Sequence, residues 1–538
     1  MFKFARNKKC NGTIDDIELK DIYVGKADGL KEAQDDNFEN YFYKGNNKYQ
    51  ELDSDSRKFI ISGKKGTGKT ILAKYFELEE NKKGHPTKFL TERDAKLRQF
   101  MELGKLIENS DEIDLFVEYS IYCELGRVVL NNKKAIILKS GIHINRVTKY
   151  IKYLDKIINN RTSIENYFKD KYSKNTIKSE QTEMSANKKM DDDSIMGSAK
   201  YSKSSAIEAS YVKNPYYNIL DEIRKAVQYL LRFICINLIY DDLDEYDEII
   251  VGNEKFIAFF NSFIKVANRV NSDIYINNHE YSRIILLIRS DMLTPLNNHS
   301  KNLAKIIADG QIKLNWMKKE YKTSNKNDIH PLIEMVLIKI KNSNELLREM
   351  TNDEILRRFF PKYIDGVKLS SYLLNLSFGR PRDIINMLNV IREEMPNATR
   401  FYKNAFINTK YDYSEKFVIE LRNELSSYYR SEEIDECFDI IRKIGKKEFW
   451  LSDINNVFES NSIKYFANPE EFYSMCYEYG ILGNITVYQT IHESDMNKVD
   501  SVGKMKRSFS WKFREDGNLK PDPSKKFCVH MALKKLLD

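Results

Sequence analysis

One short stretch of the chain combines glycines with a lysine and a hydroxyl in the order G-x-x-x-x-G-K-[ST]. Its residues are Gly63, Lys64, Lys65, Gly66, Thr67, Gly68, Lys69 and Thr70. This order predicts a phosphate-binding loop, because glycines allow successive backbone N–H groups to point inward at a phosphate chain. We expect Lys69 to reach the β- and γ-phosphates of a nucleotide and the Thr70 hydroxyl to bind Mg²⁺. An apolar stretch precedes the loop and an amphipathic one follows it, which predicts strand, turn and helix.

Two carboxylates follow a second apolar stretch, residues 233–240. In an open α/β sheet, the chemistry lies at the carboxyl ends of the strands. We therefore expect Asp241 to hold Mg²⁺ through water, and Asp242 to orient or deprotonate the attacking water. The alternative interpretation is an acidic turn after a surface strand.

A third predicted buried strand, residues 283–288, is followed by Arg289 and Ser290. Either side chain is a candidate sensor of the γ-phosphate at the end of a core strand. The alternative is a strand that is simply capped by polar residues.

The sequence Gly379-Arg380-Pro381-Arg382 breaks the chain before a new amphipathic segment. Pro381 predicts the first position of a helix. Arg382 then lies in the first helical turn, where the helix dipole disfavours a cation. A phosphate partner would explain this placement, and so would a salt bridge to a neighbouring acid.

The length, composition and net charge of the chain limit the classes of protein to which these motifs can belong. A chain of 538 residues with 42% hydrophobic and 31% charged residues predicts a soluble protein of two to four domains. The net charge of +8 permits nucleic-acid binding without arguing for it. The six cysteines are scattered without a C-x-x-C pair, which favours a reducing cytosol. We expect a cytoplasmic protein without a signal peptide or membrane span.

The chain is predicted to form three domains. Residues 1–320 are expected to form the core that carries the phosphate-binding loop, an ATPase core by the resemblance described below, with a helical insertion at about 90–228, of which about 180–210 is predicted to be disordered. Residues 321–405 form a helical lid. Residues 406–538 form a winged-helix domain of compact helices, two strands at 485–491 and 508–514, and a closing helix at 527–537.

Basic and aromatic residues alternate near the predicted wing. They are Lys504, Lys506, Arg507, Phe509, Trp511, Lys512, Phe513 and Arg514. Such a mixture can grip a nucleic-acid backbone. The same alternation is typical of a half-buried strand with one solvated face.

Taken in this order, the motifs resemble those of AAA+/STAND-type P-loop ATPases. The resemblance extends to origin-recognition-like initiator ATPases and to a bacterial ATPase family common in mobile and anti-phage defence loci. Residues 23–27, Tyr-Val-Gly-Lys-Ala, and residues 511–514, Trp-Lys-Phe-Arg, look like the bacterial family in particular. The likeness covers about residues 1–75, 230–320 and 365–538.

The resemblance implies an α/β fold with a parallel sheet, ATP and Mg²⁺ as cofactors, and ATP hydrolysis. It implies that residues 63–70 bind ATP, that Asp241 and Asp242 serve Mg²⁺ and hydrolysis, and that Arg382 acts as sensor 2. It also implies a homo-oligomer whose nucleotide state controls a partner. Many AAA+ proteins have Glu where this chain has Asp242, and the insertion at 90–228 is a second departure.

Two functions follow as hypotheses. The first is an ATP-driven switch or assembly platform in anti-phage immunity that controls a separate effector protein. The second is an initiator-like ATPase that binds DNA directly through its winged helix. A GTPase is disfavoured, because the N-K-x-D match at residues 325–328 follows a polar stretch rather than a buried strand.

Overall fold

The computed structural model describes residues 13–91, 110–159, 214–241, 254–277, 282–293, 301–317, 329–490, 504–513 and 520–537. Spatial clustering divides the chain into two compact units. The sheet unit comprises residues 50–62 and 76–313, and the loop unit comprises residues 1–49, 63–75 and 314–538. Among the described helices, none combines the length and the apolar character needed to cross a bilayer.

The strands are numbered in chain order. They are β1 (Ile60–Gly63), β2 (Thr87–Leu90), β3 (Asn237–Tyr240), β4 (Arg283–Arg289), β5 (Gln311–Lys313), β6 (Tyr363–Ile364), β7 (Val367–Lys368), β8 (Glu448–Phe449), β9 (Leu482–Thr490), β10 (Lys504–Ser510) and β11 (Lys526–Val529).

The helices of the first half of the chain are numbered in the same way. They are α1 (Gly29–Glu32), α2 (Phe38–Tyr41), α3 (Lys48–Ser54), α4 (Lys69–Lys82), α5 (Ser110–Asn131), α6 (Lys133–Lys139), α7 (Ile144–Asn159), α8 (Asn214–Leu230), α9 (Glu254–Asn277) and α10 (Lys301–Gly310).

The helices of the second half continue this numbering. They are α11 (Pro331–Ser343), α12 (Asn352–Phe359), α13 (Leu369–Asn375), α14 (Pro381–Glu394), α15 (Lys403–Asn408), α16 (Lys410–Leu425), α17 (Ser431–Ile444), α18 (Leu451–Ser460) and α19 (Pro469–Glu478).

The sheet unit is built on a five-stranded, all-parallel sheet in the order β2-β3-β4-β1-β5. Every residue of β3 and β4 is buried, as expected for central strands of a parallel sheet with both faces covered. Tyr240 of β3 pairs with Leu90 of β2 and Leu286 of β4. The α/β class and the parallel sheet that the sequence predicted are thus confirmed.

Helices α5 to α8 lie between β2 and β3 in the chain. Helix α5 packs against α8 and α9, and its side chains share one apolar core with the strands. Glu118 of α5 is buried and forms ion pairs with Arg224 and Arg269. These inserted helices are therefore part of the core of the sheet unit. The segment predicted to be disordered, 180–210, lies outside the described residues.

The loop unit contains the helices from α11 onward and a four-stranded sheet in the order β10-β9-β11-β8. Strands β9 and β10 confirm the two predicted strands, although each begins several residues earlier than expected. The predicted closing helix at 527–537 is wrong in its first part. Residues Lys526–Val529 form β11, because they pair with β9 on one side and β8 on the other. Only Met531–Leu536 is helical, in a 3₁₀ conformation.

Candidate functional site

The Gly63–Thr70 loop begins at the last residue of β1 and ends in the first turn of α4. Gly66 and Gly68 have φ angles of +83° and +95°, in the left-handed region that favours glycine. A Cβ at Gly63 would lie 2.4 Å from the Thr67 hydroxyl, so this position also requires glycine. The local structure is the strand, glycine turn and helix that the sequence predicted.

Hydrogen bonds hold the loop in a closed turn. The Thr67 hydroxyl donates to the carbonyl oxygen of Lys64 at 2.8 Å. The indole Nε1 of Trp316 donates to the carbonyl oxygen of Thr67 at 2.9 Å. The Lys69 ammonium donates to the carbonyl oxygens of Gly63 and Lys64 at 3.1 and 3.4 Å. The Lys69 charge therefore lies over the loop itself.

The two arginines on either side of Pro381 both contact this loop. Arg380 is buried and donates from Nη1 to the carbonyl oxygen of Lys65 at 3.2 Å. Its guanidinium also forms ion pairs with Asp383 at 3.0 Å and with Glu424 at 2.8 Å. Burial alone would lower the pKa of Arg380, but the two carboxylates raise it above its ordinary value. Arg380 is thus a fixed, fully charged support for the loop.

Arg382 lies beside Gly66 and is partly exposed. Its backbone N–H donates to the carbonyl oxygen of Gly66 at 3.4 Å, and its Nε donates to the carbonyl oxygen of Ala27 at 3.1 Å. Its Nη1 lies 3.5 Å from a carboxylate oxygen of Glu420. The salt bridge that the sequence left open as an explanation is therefore present. The same side chain also borders the loop.

Asp241 and Arg289 belong to the sheet unit. Asp241 follows β3 directly, is buried, and donates its backbone N–H to the carbonyl oxygen of Leu90 at 2.9 Å. Arg289 is the last residue of β4 and forms an ion pair with Asp291 at 2.6 Å. Both residues lie at the carboxyl edge of the parallel sheet, the edge at which β1 also ends. Asp242, the predicted hydrolytic carboxylate, lies outside the described residues, as does the N-K-x-D match.

Sequence reasoning missed two residues that contact the loop, Trp316 and Arg380. Trp316 follows β5 after a short gap, and nothing in its spacing indicates a partner near residue 67. Arg380 belongs to the Gly-Arg-Pro-Arg motif, but reasoning from the helix dipole selected Arg382 and gave Arg380 no role.

In the alternating segment near the C-terminus, Arg507, Ser508 and Phe509 lie in β10 and are exposed, whereas residues 511–513 follow the strand in a turn. Trp511 is buried, and its ring lies 2.7 Å from the point where a Cβ would stand at Gly483. Phe513 packs beside Trp511, and Lys512 forms an ion pair with Glu478 at 3.2 Å. Arg514 and the side chains of Lys504 and Lys506 lie outside the described residues.

Comparison with known proteins gives one partial match. Residues 331–422 match the model of the FunZ-associated C-terminal helical domain. The matched segment runs from α11 into α16 and includes Arg380, Arg382 and Glu420. A search of curated proteins gave no match for this chain.

Proposed function

We propose that this chain is an AAA+/STAND-type P-loop ATPase that binds ATP and Mg²⁺ and hydrolyses ATP. The observation that carries the proposal is the Gly63–Thr70 loop, with two left-handed glycines between a buried strand and the start of a helix. In such a loop, backbone N–H groups and the positive end of the helix dipole favour a phosphate chain. The Lys69 charge would neutralise the β- and γ-phosphates.

The other site residues take the following roles in this proposal. Thr70 and Asp241 would hold Mg²⁺, and Asp242 would orient the attacking water. Arg289 and Arg382 would sense the γ-phosphate. Two observations support these roles. Parallel strands end at one edge, where Asp241 and Arg289 both lie, and Arg382 borders the loop at Gly66.

The proposed biological role is that of a homo-oligomeric switch in bacterial anti-phage defence, acting in the cytoplasm on a separate effector protein. Residues 321–405 would be the lid, which the match to a helical domain at 331–422 overlaps. Residues 406–538 would be a winged-helix domain, in keeping with helices followed by an antiparallel sheet. Arg380 contacts both Lys65 of the loop and Glu424 of α16. In this proposal, a change of the loop on nucleotide binding would therefore be transmitted to α16 through Arg380.

The alternative proposal is an initiator-like ATPase that binds DNA through the winged helix. The internal pairing of Lys512 and the burial of Trp511 give it less support than the basic and aromatic pattern suggested. We therefore favour the switch.

Nucleotide binding to the full-length chain tests the ATPase proposal. Lys69→Ala removes the charge that faces the phosphates and should weaken ATP binding on the order of 100-fold. Lys74→Ala is the matched control, because it removes a lysine of the same helix α4 one turn further on. Calorimetric titration with ATP and Mg²⁺ measures both variants. Unchanged affinity in Lys69→Ala would contradict the assignment of the loop.

A further inference from the structure

Three potential metal ligands converge at the amino edge of the parallel sheet, opposite the edge that carries Asp241. Glu80 lies in the last turns of α4, His85 shortly before β2, and Cys235 two residues before β3. We call these residues the Glu–His–Cys cluster. All three belong to the sheet unit, and none has a role in the proposed nucleotide site.

The geometry of the cluster distinguishes a metal site from a proton relay. One ligand atom from each residue lies within 4.8 Å of the other two, and His85 Nδ1 is 3.0 Å from Glu80 Oε2. In a Cys–His–Glu relay the imidazole stands between the two partners, which separates the sulfur from the carboxylate by roughly 7 Å. The mutual approach in this cluster is too close for that arrangement. It instead suits three atoms directed at a common centre.

From this convergence we propose that Glu80, His85 and Cys235 bind a divalent transition-metal ion, with Zn²⁺ as the best fit. One thiolate, one imidazole and one carboxylate form a mixed S, N, O set that Zn²⁺ accepts in four-coordinate sites. On binding, the metal takes the place of the proton between His85 Nδ1 and Glu80 Oε2, and that proton moves to Nε2 of the imidazole. The thiol of Cys235 releases its proton to solvent.

A buried amide beside the cluster provides an independent observation. Asn237 is fully buried, and its Nδ2 donates to Glu80 Oε2 at 3.1 Å. The other end of the same amide, Oδ1, is buried without a hydrogen-bond partner among the described residues. A buried acceptor without a partner costs free energy. Asn237 would also orient the Glu80 carboxylate toward the metal.

Of the two carboxylate oxygens of Glu80, one is paired with a lysine and the other, Oε2, faces the cluster. Lys83 binds Glu80 Oε1 at 2.8 Å, and is itself neutralised by Asp53 at 2.7 Å. Burial alone would raise the pKa of Glu80, but hydrogen bonds from Lys83 and His85 lower it, so the ligand is ionised near neutral pH. Arg283 interacts electrostatically with both Glu80 and Cys235, and its positive charge favours the thiolate.

Cobalt substitution in the untagged, full-length protein tests the proposal without nucleotide. Co²⁺ should bind with one-to-one stoichiometry and produce a thiolate-to-cobalt absorption band that Zn²⁺ abolishes. Cys235→Ser and His85→Ala should each weaken binding at least tenfold, and Cys235→Ser should remove the band. Cys123→Ser is the matched control, since it alters another buried cysteine of the sheet unit and should keep the band.

X-ray absorption on the zinc-loaded wild-type protein gives a second measurement that needs no variant. The expected signal is one sulfur at about 2.3 Å with nitrogen or oxygen ligands at about 2.0 Å. Three results would overturn the proposal. They are a zinc coordination shell that contains only nitrogen and oxygen, the absence of the cobalt band in the wild type, and a loss of the band in Cys123→Ser equal to that in Cys235→Ser. Because the measurements contain no ATP, their outcome is independent of the ATPase assignment.

Discussion

The Arg380 guanidinium donates a hydrogen bond to the carbonyl oxygen of Lys65 at 3.2 Å, across 315 positions of sequence. The same guanidinium is paired with Asp383 and Glu424, so the loop rests on a buried ionic cluster. Arg382, two residues later, is partly exposed and lies beside Gly66. The environments of the two arginines therefore differ, since Arg380 is buried between two carboxylates and Arg382 is partly exposed and pairs with Glu420.

This difference predicts losses of stability of different size for the two arginine substitutions. Arg380→Met leaves Asp383 and Glu424 buried without their cation and should lower the free energy of unfolding by about 3–5 kcal/mol. Arg382→Met should lower it by less than about 1 kcal/mol, because the Glu420 pair is partly exposed. Urea unfolding measures the free energy of unfolding of both variants. Under the ATPase proposal, Arg382→Met should also slow ATP hydrolysis. Equal stability losses in the two variants would contradict the distinction.

Gly66 and Gly84 form a matched pair for testing the loop. Both have left-handed φ angles, +83° and +78°, so alanine should cost each about 1–2 kcal/mol of backbone strain. A Cβ at Gly66 would lie 3.0 Å from the Cβ of Arg382, whereas a Cβ at Gly84 meets nothing within 4 Å. We expect Gly66→Ala alone to lower ATP affinity, by at least tenfold. Titration with ATP checks this, and equal affinities would show that the loop does not touch nucleotide.

Trp316→Phe should loosen the loop by removing the N–H that donates to the carbonyl oxygen of Thr67. This leaves a buried acceptor without its partner and should cost about 1–3 kcal/mol of stability. A several-fold increase in the Kd for ATP should accompany it. Trp450→Phe is the control, because the Trp450 side chain is 48% exposed. Thermal unfolding and ATP titration of both variants give the comparison, and indistinguishable results would remove Trp316 from the site.

The two carboxylates after β3 should be separable by kinetics. Under the ATPase proposal, Asp242→Asn should retain ATP binding but slow hydrolysis, because Asp241 would still hold Mg²⁺. Asp241→Asn should weaken the Mg²⁺ dependence of ATP binding instead. Equilibrium binding and single-turnover phosphate release report these steps separately. Normal hydrolysis by Asp242→Asn would mean that the roles of the two carboxylates are wrong.

DNA binding across a range of salt concentrations decides between the two biological proposals. Direct backbone contact predicts a steep loss of affinity as salt rises, reduced by Lys512→Ala together with Arg514→Ala. Lys512 is already paired with Glu478, and we expect the switch proposal to hold. In that case, DNA binding is absent even at low salt. A steep slope that the double variant abolishes would instead establish the initiator-like alternative.

The features that the sequence alone determined are those whose causes are local. The turn at Gly66 and Gly68 follows from the freedom of glycine at positive φ, and the strand and helix on either side follow from contiguous patterns. Pro381 begins α14 because its fixed φ suits the first helical position. The helical insertion was predicted from local patterns too, and α7 and α8 each show a helical periodicity within one segment.

Tertiary structure alone decided the contacts between distant segments. No spacing relates Arg380 to Lys65, Trp316 to Thr67, or Cys235 to Glu80, because each pair meets only when separate elements pack. The segment that begins at Lys526 is a second case in which contacts between distant segments decided the structure. Its helical prediction was wrong at the start because hydrogen bonds to β8 and β9 outweigh local preference. Packing, rather than spacing, therefore selected Arg380 as the support of the loop.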